Sequence, residues 1–427
     1  MLLFPINESY RNSRGRINRV LWRDEDNDIK SRTLADIVVR EGENIQLYLV
    51  KKVQEILNAN DFDEKGRPIE STVVLTECET ISIAEGENAT GIISQNIKGN
   101  QNIIELQKDA LNTDMNKSEM LDGCNNPNTI RICKSVVISE DKVKATIDNY
   151  NRGKPIEKQI DENRTLERFE ETSNVISISA DDVQVVKQKE KDREKNSDPK
   201  ESKEWVKNTI VHILCNKMTY VLNGKGIIET LILLTAFMLN NNMVDIGNLV
   251  FYVDGARDLQ NAIHATYGWR PYTIILDWFH LEKKCKEFLS MSIKGKTVKA
   301  IVLSTLLSLL WLGKVDKAID YLENLDINMV KDERKLKDLI GYFERNINNI
   351  PCYALRKELG LKTSSNSVEK ANDNIVAIRQ KHNGTSWSKS GSVALASVTA
   401  IFKNKEDSNW IKHRTLKFKF PVQNNVA

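Results

Sequence analysis

Apolar positions change period along the chain, and the change marks where ordered elements begin. Residues 44–58 place Ile45, Leu47, Val50, Val53, Ile56 and Leu57 at helical spacing. From 61 to 170 the chain is polar, Asn-rich and weakly periodic. Only residues 71–75 and 135–138 suggest short strands there, so the segment reads as a poorly specified connector. Alternation returns at Val175, Ile176 and Ile178, passes through Asp181 and Asp182, and continues in Val183, Val185 and Val186. A charged stretch at 187–203 reads as an exposed loop. Residues 208–215 and 218–222 then flank Asn216-Lys217 as an antiparallel hairpin. Helix 226–241, strand 249–253, helix 256–267, strand 272–276 and helix 281–291 follow.

Three strands followed by helix–strand units predict a mixed sheet covered by helices, and this order resembles the RNase H-like fold. Residues 297–346 read as helical throughout, with Ile301, Leu303, Leu306, Leu309 and Leu310 on apolar faces. They form an all-helical insertion. A last helix is expected at 364–381, with Val368, Ala371, Ile375 and Ile378 as its buried stripe. The division that results is a basic, helical N-terminal region (1–60), a loosely structured connector (61–170), a sheet-forming core in two parts (171–292 and 350–390), the helical insertion between them (293–349) and a basic tail (391–427).

Composition changes this picture only in places. The 427 residues suffice for two or three domains, and a net charge of +3 favours neither nucleic acid nor membrane. Residues 351–427, however, hold 13 Lys and Arg against 5 Asp and Glu, which suits a polyanion or a solvated surface. Arg11, Arg14, Arg16 and Arg19 suit phosphate contacts or a flexible basic arm equally. The six cysteines form no C-x-x-C pair and no secretory signal opens the chain, pointing to reduced thiols in the cytoplasm. The longest apolar stretches, 226–239 and 300–312, are too short to cross a bilayer.

The chemistry lies in acidic residues at strand ends. The resemblance to the RNase H-like fold implies that one carboxylate on the first strand, one after the fourth and one on a late helix converge. Here they are Asp181, Asp254 and Glu369. Glu369 stands about 100° round the helix from the apolar Val368. Three acids in one cleft raise one another's pKa, and a hard divalent cation, Mg²⁺ or Mn²⁺, relieves the repulsion. Each residue has an ordinary alternative: Asp254 as a helix N-cap, Asp181 and Asp182 as a solvated strand-end pair, Glu369 as a surface glutamate.

At these residues the chain resembles bacterial insertion-sequence transposases of the Mutator-like DDE superfamily. The resemblance is carried by ISADDVQVVKQ (178–188), FYVDGARDL (251–259), LDWFHLEKKCKEFLS (276–290), IPCYALRKELGLKTSSNSVEKANDNIVAIRQKHNGTSWS (350–388) and the W-x-G of LLWLGKVDKAIDYL (309–322). It covers roughly residues 175–400, with weaker similarity at INRVLWRDEDNDIKSRTLADIVVREG (17–42). The Ser-Asn-x-x-Glu-Lys and Arg-x-Lys-x-x-Gly-x-x-Trp-Ser strings are its most specific parts.

The resemblance implies an RNase H-like catalytic domain with a helical insertion, a Mg²⁺-dependent activity that cuts and joins DNA, and Asp181, Asp254 and Glu369 as catalytic and metal-binding residues. Relatives carry Cys-x-x-His after the second Asp; here Asp277 and His280 stand in those positions, so both are auxiliary candidates. Asp182 stands where relatives often have Gly and so competes with Asp181. Double-stranded DNA is the expected partner, with phosphates met by Lys283, Lys284, Arg379, Lys381 and Lys389 and an unpaired base by Trp387, whose alternative is a core anchor. No helix-turn-helix is recognisable in 61–170. Bringing two DNA ends together implies a homo-oligomer. A nuclease that does not join DNA, and an inactive DNA-binding relic, are the competing readings.

Overall fold

The computed structural model describes residues 7–21, 28–69, 72–77, 129–134, 138–167, 175–188, 204–215, 217–246, 248–365, 370–371, 373–381 and 386–421. In chain order the helices and strands that matter are α1 (Tyr10–Val20), α2 (Ser31–Ala59), β1 (Thr72–Glu77), β2 (Thr129–Lys134), α3 (Glu140–Asn151), α4 (Glu162–Glu167), β3 (Val175–Val186), β4 (Trp205–Cys215), β5 (Met218–Gly224), α5 (Ile227–Asn240), β6 (Asn248–Val253), α6 (Arg257–Tyr267), β7 (Thr273–Leu276), α7 (Trp278–Ser292), α8 (Lys296–Trp311), α9 (Val315–Glu323), α10 (Glu333–Asn346), α11 (Tyr353–Glu358), a π-helical segment (Asp373–Lys381), α12 (Lys389–Lys403) and α13 (Asp407–His413).

The fold is mixed α/β. A five-stranded sheet has the order β5-β4-β3-β6-β7: β5, β4 and β3 are antiparallel neighbours, and β3, β6 and β7 run parallel. The β4–β5 turn needs a left-handed residue, which Lys217 supplies at φ 66°. Strand alternation divides the apolar residues between two faces. On one face Ile176, Ile178, Val211, Ile213, Phe251 and Val253 pack on α5 and α6 through Leu231, Leu234, Phe237, Leu259 and Ile263.

The opposite face is shared by two helical layers. Toward β7, Val250, Tyr252 and Leu276 meet α7 and the helical insertion through Leu281, Leu289, Leu306, Leu339 and Phe343. Toward β5, Val183, Val185, Val206, Ile210 and Val221 meet Val38 and Ile45 of α2 and Leu395 and Val398 of α12.

Three expectations change here. Of the tail expected at 391–427, the described residues 391–421 are packed into the fold: α12 is buried from Gly391 through Ile401, and Leu416 and Phe418 sit in the cores. Its run of small and apolar residues makes a helix covered on all sides, while the basic charge lies mostly beyond it. The connector also folds in part. Ser139 caps α3, its Oγ accepting from Lys142 N–H at 3.3 Å, and Val143 and Ile147 are buried against Leu312, Ala354 and Leu355. Of the two strands expected there, 71–75 falls mostly on β1. The one at 135–138 falls mostly on residues 135–137, which lie outside the described residues; β2 ends just before it, at Lys134. The helix expected at 44–58 is longer, and Leu47 and Val50 are exposed on it.

Close approach of α2 and α12 depends on a glycine. A Cβ on Gly42 would lie within 2.5 Å of Ala394 Cα and Cβ. Gly42→Val is expected to destabilise the fold by about 1–3 kcal/mol or more, because backbone must move. Chemical denaturation checks it; an unchanged midpoint would mean that the helices are not packed this way. Among the described residues no helix is long and apolar enough to cross a membrane.

Candidate active site

Sheet register brings the strand-end acids into one row. Ser179 of β3 pairs with Tyr252 of β6, so two residues on Asp181 stands beside Asp254. Val253 pairs with Leu276, so one residue on Asp254 stands beside Asp277, and the Asp277 N–H donates to the Val253 carbonyl at 2.8 Å. With adjacent strands about 4.8 Å apart, three carboxylates from three segments line one edge of the same face.

Alternation also separates the two neighbouring aspartates. Asp181 shares its face with Val183 and Val185, whereas Asp182 turns to the other side and accepts from Thr209 Oγ1 at 2.6 Å. Asp182 is therefore held across the β3–β4 pair and does not exchange places with Asp181. The Asp181 carboxylate accepts from the Asp182 N–H at 2.8 Å. Burial first, and then the charge of Asp254, pushes the Asp181 carboxyl up to about 6.

Asp254 is not a helix cap. Ala256 occupies the N-cap of α6 without a side-chain bond, and the Asp254 carboxylate accepts the Ala256 N–H at 2.8 Å in a tight turn. Gly255 has φ 86°, and a Cβ there would meet Tyr342 Oη at 2.6 Å and Leu276 Cδ1 at 2.9 Å. The Tyr342 hydroxyl donates to the Asp254 carbonyl at 3.3 Å, fixing the turn from the insertion.

Asp277 is wholly buried and caps α7, accepting the His280 N–H at 3.0 Å. It also accepts the Ser365 N–H. Burial would raise its pKa, but the hydrogen bonds from His280 and Ser365 outweigh burial and hold the carboxyl below its ordinary value. His280 Nδ1 lies 3.5 Å from Asp277 Oδ1. The His280 pKa is raised, first by that hydrogen bond and, against desolvation, by the charges of Asp277, Asp254 and Asp181.

Glu369 lies outside the described residues. The residues on either side are informative. Ser365 is buried and tied to Asp277, and Ala371, Ile375 and Val376 pack with Val183 and Val185, on the face of β3 that carries Asp181. Among the described residues, no three His, Cys, Asp or Glu side chains group closely enough to hold a metal ion. Asp181 and Asp254 fit a hard cation as an incomplete oxygen donor set, because a cation would offset both the burial and the charge of Asp254 that raise Asp181.

The expected DNA contacts divide. Lys283, Lys381 and Lys389 are exposed, and Lys284 lies 3.5 Å from Glu287. Arg379 and Trp387 do not face solvent, being only 4% and 8% exposed. The Arg379 guanidinium lies over the rings of Tyr10 and Trp387, at 4.9 and 5.0 Å from their centroids. Trp387 Nε1 donates to the Gln380 carbonyl at 3.2 Å, and its main chain joins β3 through the Val186 carbonyl and the Gln188 N–H.

Trp387 is thus a core anchor. Trp387→Ala is expected to cost about 3–5 kcal/mol, readable as a lowered denaturation midpoint. A midpoint unchanged from the parent would return Trp387 to the surface.

The π-helical turn explains part of this correction. An i→i+5 helix shifts the buried face, so Ile375, Val376, Arg379 and Gln380 turn inward while Ile378, expected in the stripe, is 49% exposed. The bond from Ser365 to Asp277 and the role of Tyr342 escape a sequence reading because the partners lie 88 residues away. Gly255 was legible in the Asp-Gly-Ala turn. No family model and no curated protein matches the sequence.

Proposed function

We propose that this chain is a divalent-metal-dependent DNA transposase of the Mutator-like DDE kind, which cuts element ends and joins them to a target. The observation that carries the reading is the row of Asp181, Asp254 and Asp277 across β3, β6 and β7, with Asp181 raised to about 6 beside Asp254. A five-stranded mixed sheet of three antiparallel strands followed by two parallel ones supports an RNase H-like reading, and the all-helical segment between β7 and the last core helices supports the resemblance.

In this reading Asp181 and Asp254 hold Mg²⁺, or Mn²⁺ in its place, together with Glu369. The bound cation supplies Lewis acidity, which makes a water or 3′-hydroxyl nucleophilic and stabilises the leaving oxygen at phosphorus. The Ala256 N–H and Gly255 turn orient Asp254, and Asp277 orients His280 and anchors the chain at Ser365, four residues before Glu369. Lys283, Lys284, Lys381 and Lys389 hold DNA by its phosphates. The protein acts in the cytoplasm as a homo-oligomer that brings two ends together.

The test is incubation with DNA carrying the element's termini and a supercoiled target, with Mg²⁺ or Mn²⁺. Cut and joined products are expected. Cutting without joining would make the chain a nuclease of the same architecture, and binding without cutting would leave a DNA-binding relic.

A further inference from the structure

Two of the strand ends that carry the acidic row are held from outside the sheet by tyrosine hydroxyls. Tyr342 belongs to α10, the last α-helix of the insertion, and donates to the Asp254 carbonyl at 3.3 Å. Tyr353 opens α11, just past the insertion, and donates to the Leu276 carbonyl at 2.6 Å. One bond fixes the peptide that leaves Asp254, and the other fixes the peptide that enters Asp277. The strands themselves end at Val253 and Leu276, just short of the carboxylates.

The packing around each hydroxyl is close. Tyr342 Oη fills the space over Gly255, where a Cβ would meet it at 2.6 Å, so the phenol and the glycine turn fit one another. One turn along α10, Asn346 accepts from Gln260 Nε2 of α6 at 2.9 Å and donates to the Tyr342 carbonyl at 2.8 Å. The insertion thus grips both the Asp254 turn and the helix that follows it. Tyr353 is fully buried, its ring centroid 5.0 Å from that of Trp278, the residue after Asp277, and 6.0 Å from that of Trp311 at the end of α8. A hydroxyl on a stiff ring locked by such packing holds a site more closely than a loop can.

From this arrangement we infer that the helical insertion sets the geometry of the acidic row, with Tyr342 and Tyr353 as positioning residues that act through the backbone beside Asp254 and Asp277. The inference rests on the proposed metal-dependent cutting of DNA and adds how that site is controlled. Movement of α10 alters the placing of Asp254 without touching its carboxylate.

The test uses the full chain and the variants Tyr342→Phe, Tyr353→Phe and Tyr267→Phe, each of which removes one buried hydroxyl and keeps the ring. Tyr267 is the control, because its hydroxyl donates to the Leu231 carbonyl at 3.0 Å on the opposite face of the sheet. Hydrogen exchange in EDTA reads positioning with no cutting. Tyr342→Phe should speed exchange of the 254–258 amides by about 2- to 10-fold and Tyr353→Phe that of 277–280, with neither change in the control. With DNA and Mn²⁺, Tyr342→Phe should lower kcat and raise the Mn²⁺ needed for half-maximal rate, by about 10- to 100-fold together, at an unchanged KM for DNA. Tyr267→Phe should lower the unfolding midpoint and leave kcat unchanged.

Wild-type exchange at these amides in either tyrosine variant would overturn the inference. So would a wild-type kcat and Mn²⁺ requirement in Tyr342→Phe, or an equal loss of kcat in Tyr267→Phe. A parent protein that neither binds Mn²⁺ nor cuts, while exchange responds as expected, removes only the catalytic reading.

Discussion

Asp254→Asn is expected to bind DNA normally and to lose cutting by at least about 10³-fold, equivalent to about 4 kcal/mol of transition-state stabilisation. The substitution is nearly isosteric, and its amide oxygen still accepts the Ala256 N–H, so the turn before α6 survives. What it loses is the negative charge beside Asp181 that the proposed divalent cation would need. DNA affinity should hold or rise slightly, since the change removes a negative charge facing a polyanion. Glu369→Gln should behave alike. Asp277→Asn should be milder, falling by about 10- to 100-fold, because Asp277 acts by holding His280 and Ser365. Plasmid cleavage and fluorescence anisotropy together measure both properties. Normal cutting by Asp254→Asn would remove the proposed metal site, and complete loss in Asp277→Asn would move the second ligand there.

Asp181→Asn should make the metal-free protein more stable at neutral pH while abolishing stabilisation by Mg²⁺ or Mn²⁺. The Asp181 carboxyl titrates at about 6 in the folded protein against an ordinary value of 3.8. The folded state therefore binds this proton more tightly than the unfolded state. Its favourable contribution is complete below 3.8 and is lost as pH rises through about 6. Above that, the ionised Asp181 costs the metal-free fold up to about 3 kcal/mol. The neutral variant lacks this pH-dependent loss, so unfolding midpoints of the two proteins in EDTA should diverge between pH 4 and pH 7, the variant becoming the more stable. With metal added, only the wild-type midpoint should rise. Parallel pH profiles would show that Asp181 feels neither burial nor Asp254 in solution.

Much of the sheet was legible because strand signals are local. The alternation in 175–186, the two runs flanking Asn216-Lys217 and the apolar runs before Asp254 and Asp277 each state their own period, and β3, β4, β5, β6 and β7 lie where those runs fall. The Gly after Asp254 was equally visible, since a turn with φ 86° tolerates little else. Less was legible where an outcome depends on partners far along the chain. The charge of 391–427 suggested a solvated tail, yet α12 is enclosed by α2, β4 and β5, which a count of lysines cannot show. Arg379 reads as a phosphate ligand from its local sequence, yet its guanidinium lies over the ring of Tyr10, more than 360 residues earlier in the chain. The stripe through Ile378 assumed 3.6 residues per turn, and the π-helical segment does not obey that period.

By itself the sequence determined the strands of the five-stranded sheet, the helices that alternate with them and which acids stand at strand ends, because these follow from short-range periodicity and backbone preference. Only the tertiary structure decided that Asp181 and not Asp182 faces Asp254, that Asp277 is a buried cap, and that Trp387 is closed. Those outcomes depend on pairing register and on which surfaces cover one another, and such contacts arise between residues whose separation along the chain carries no local signal.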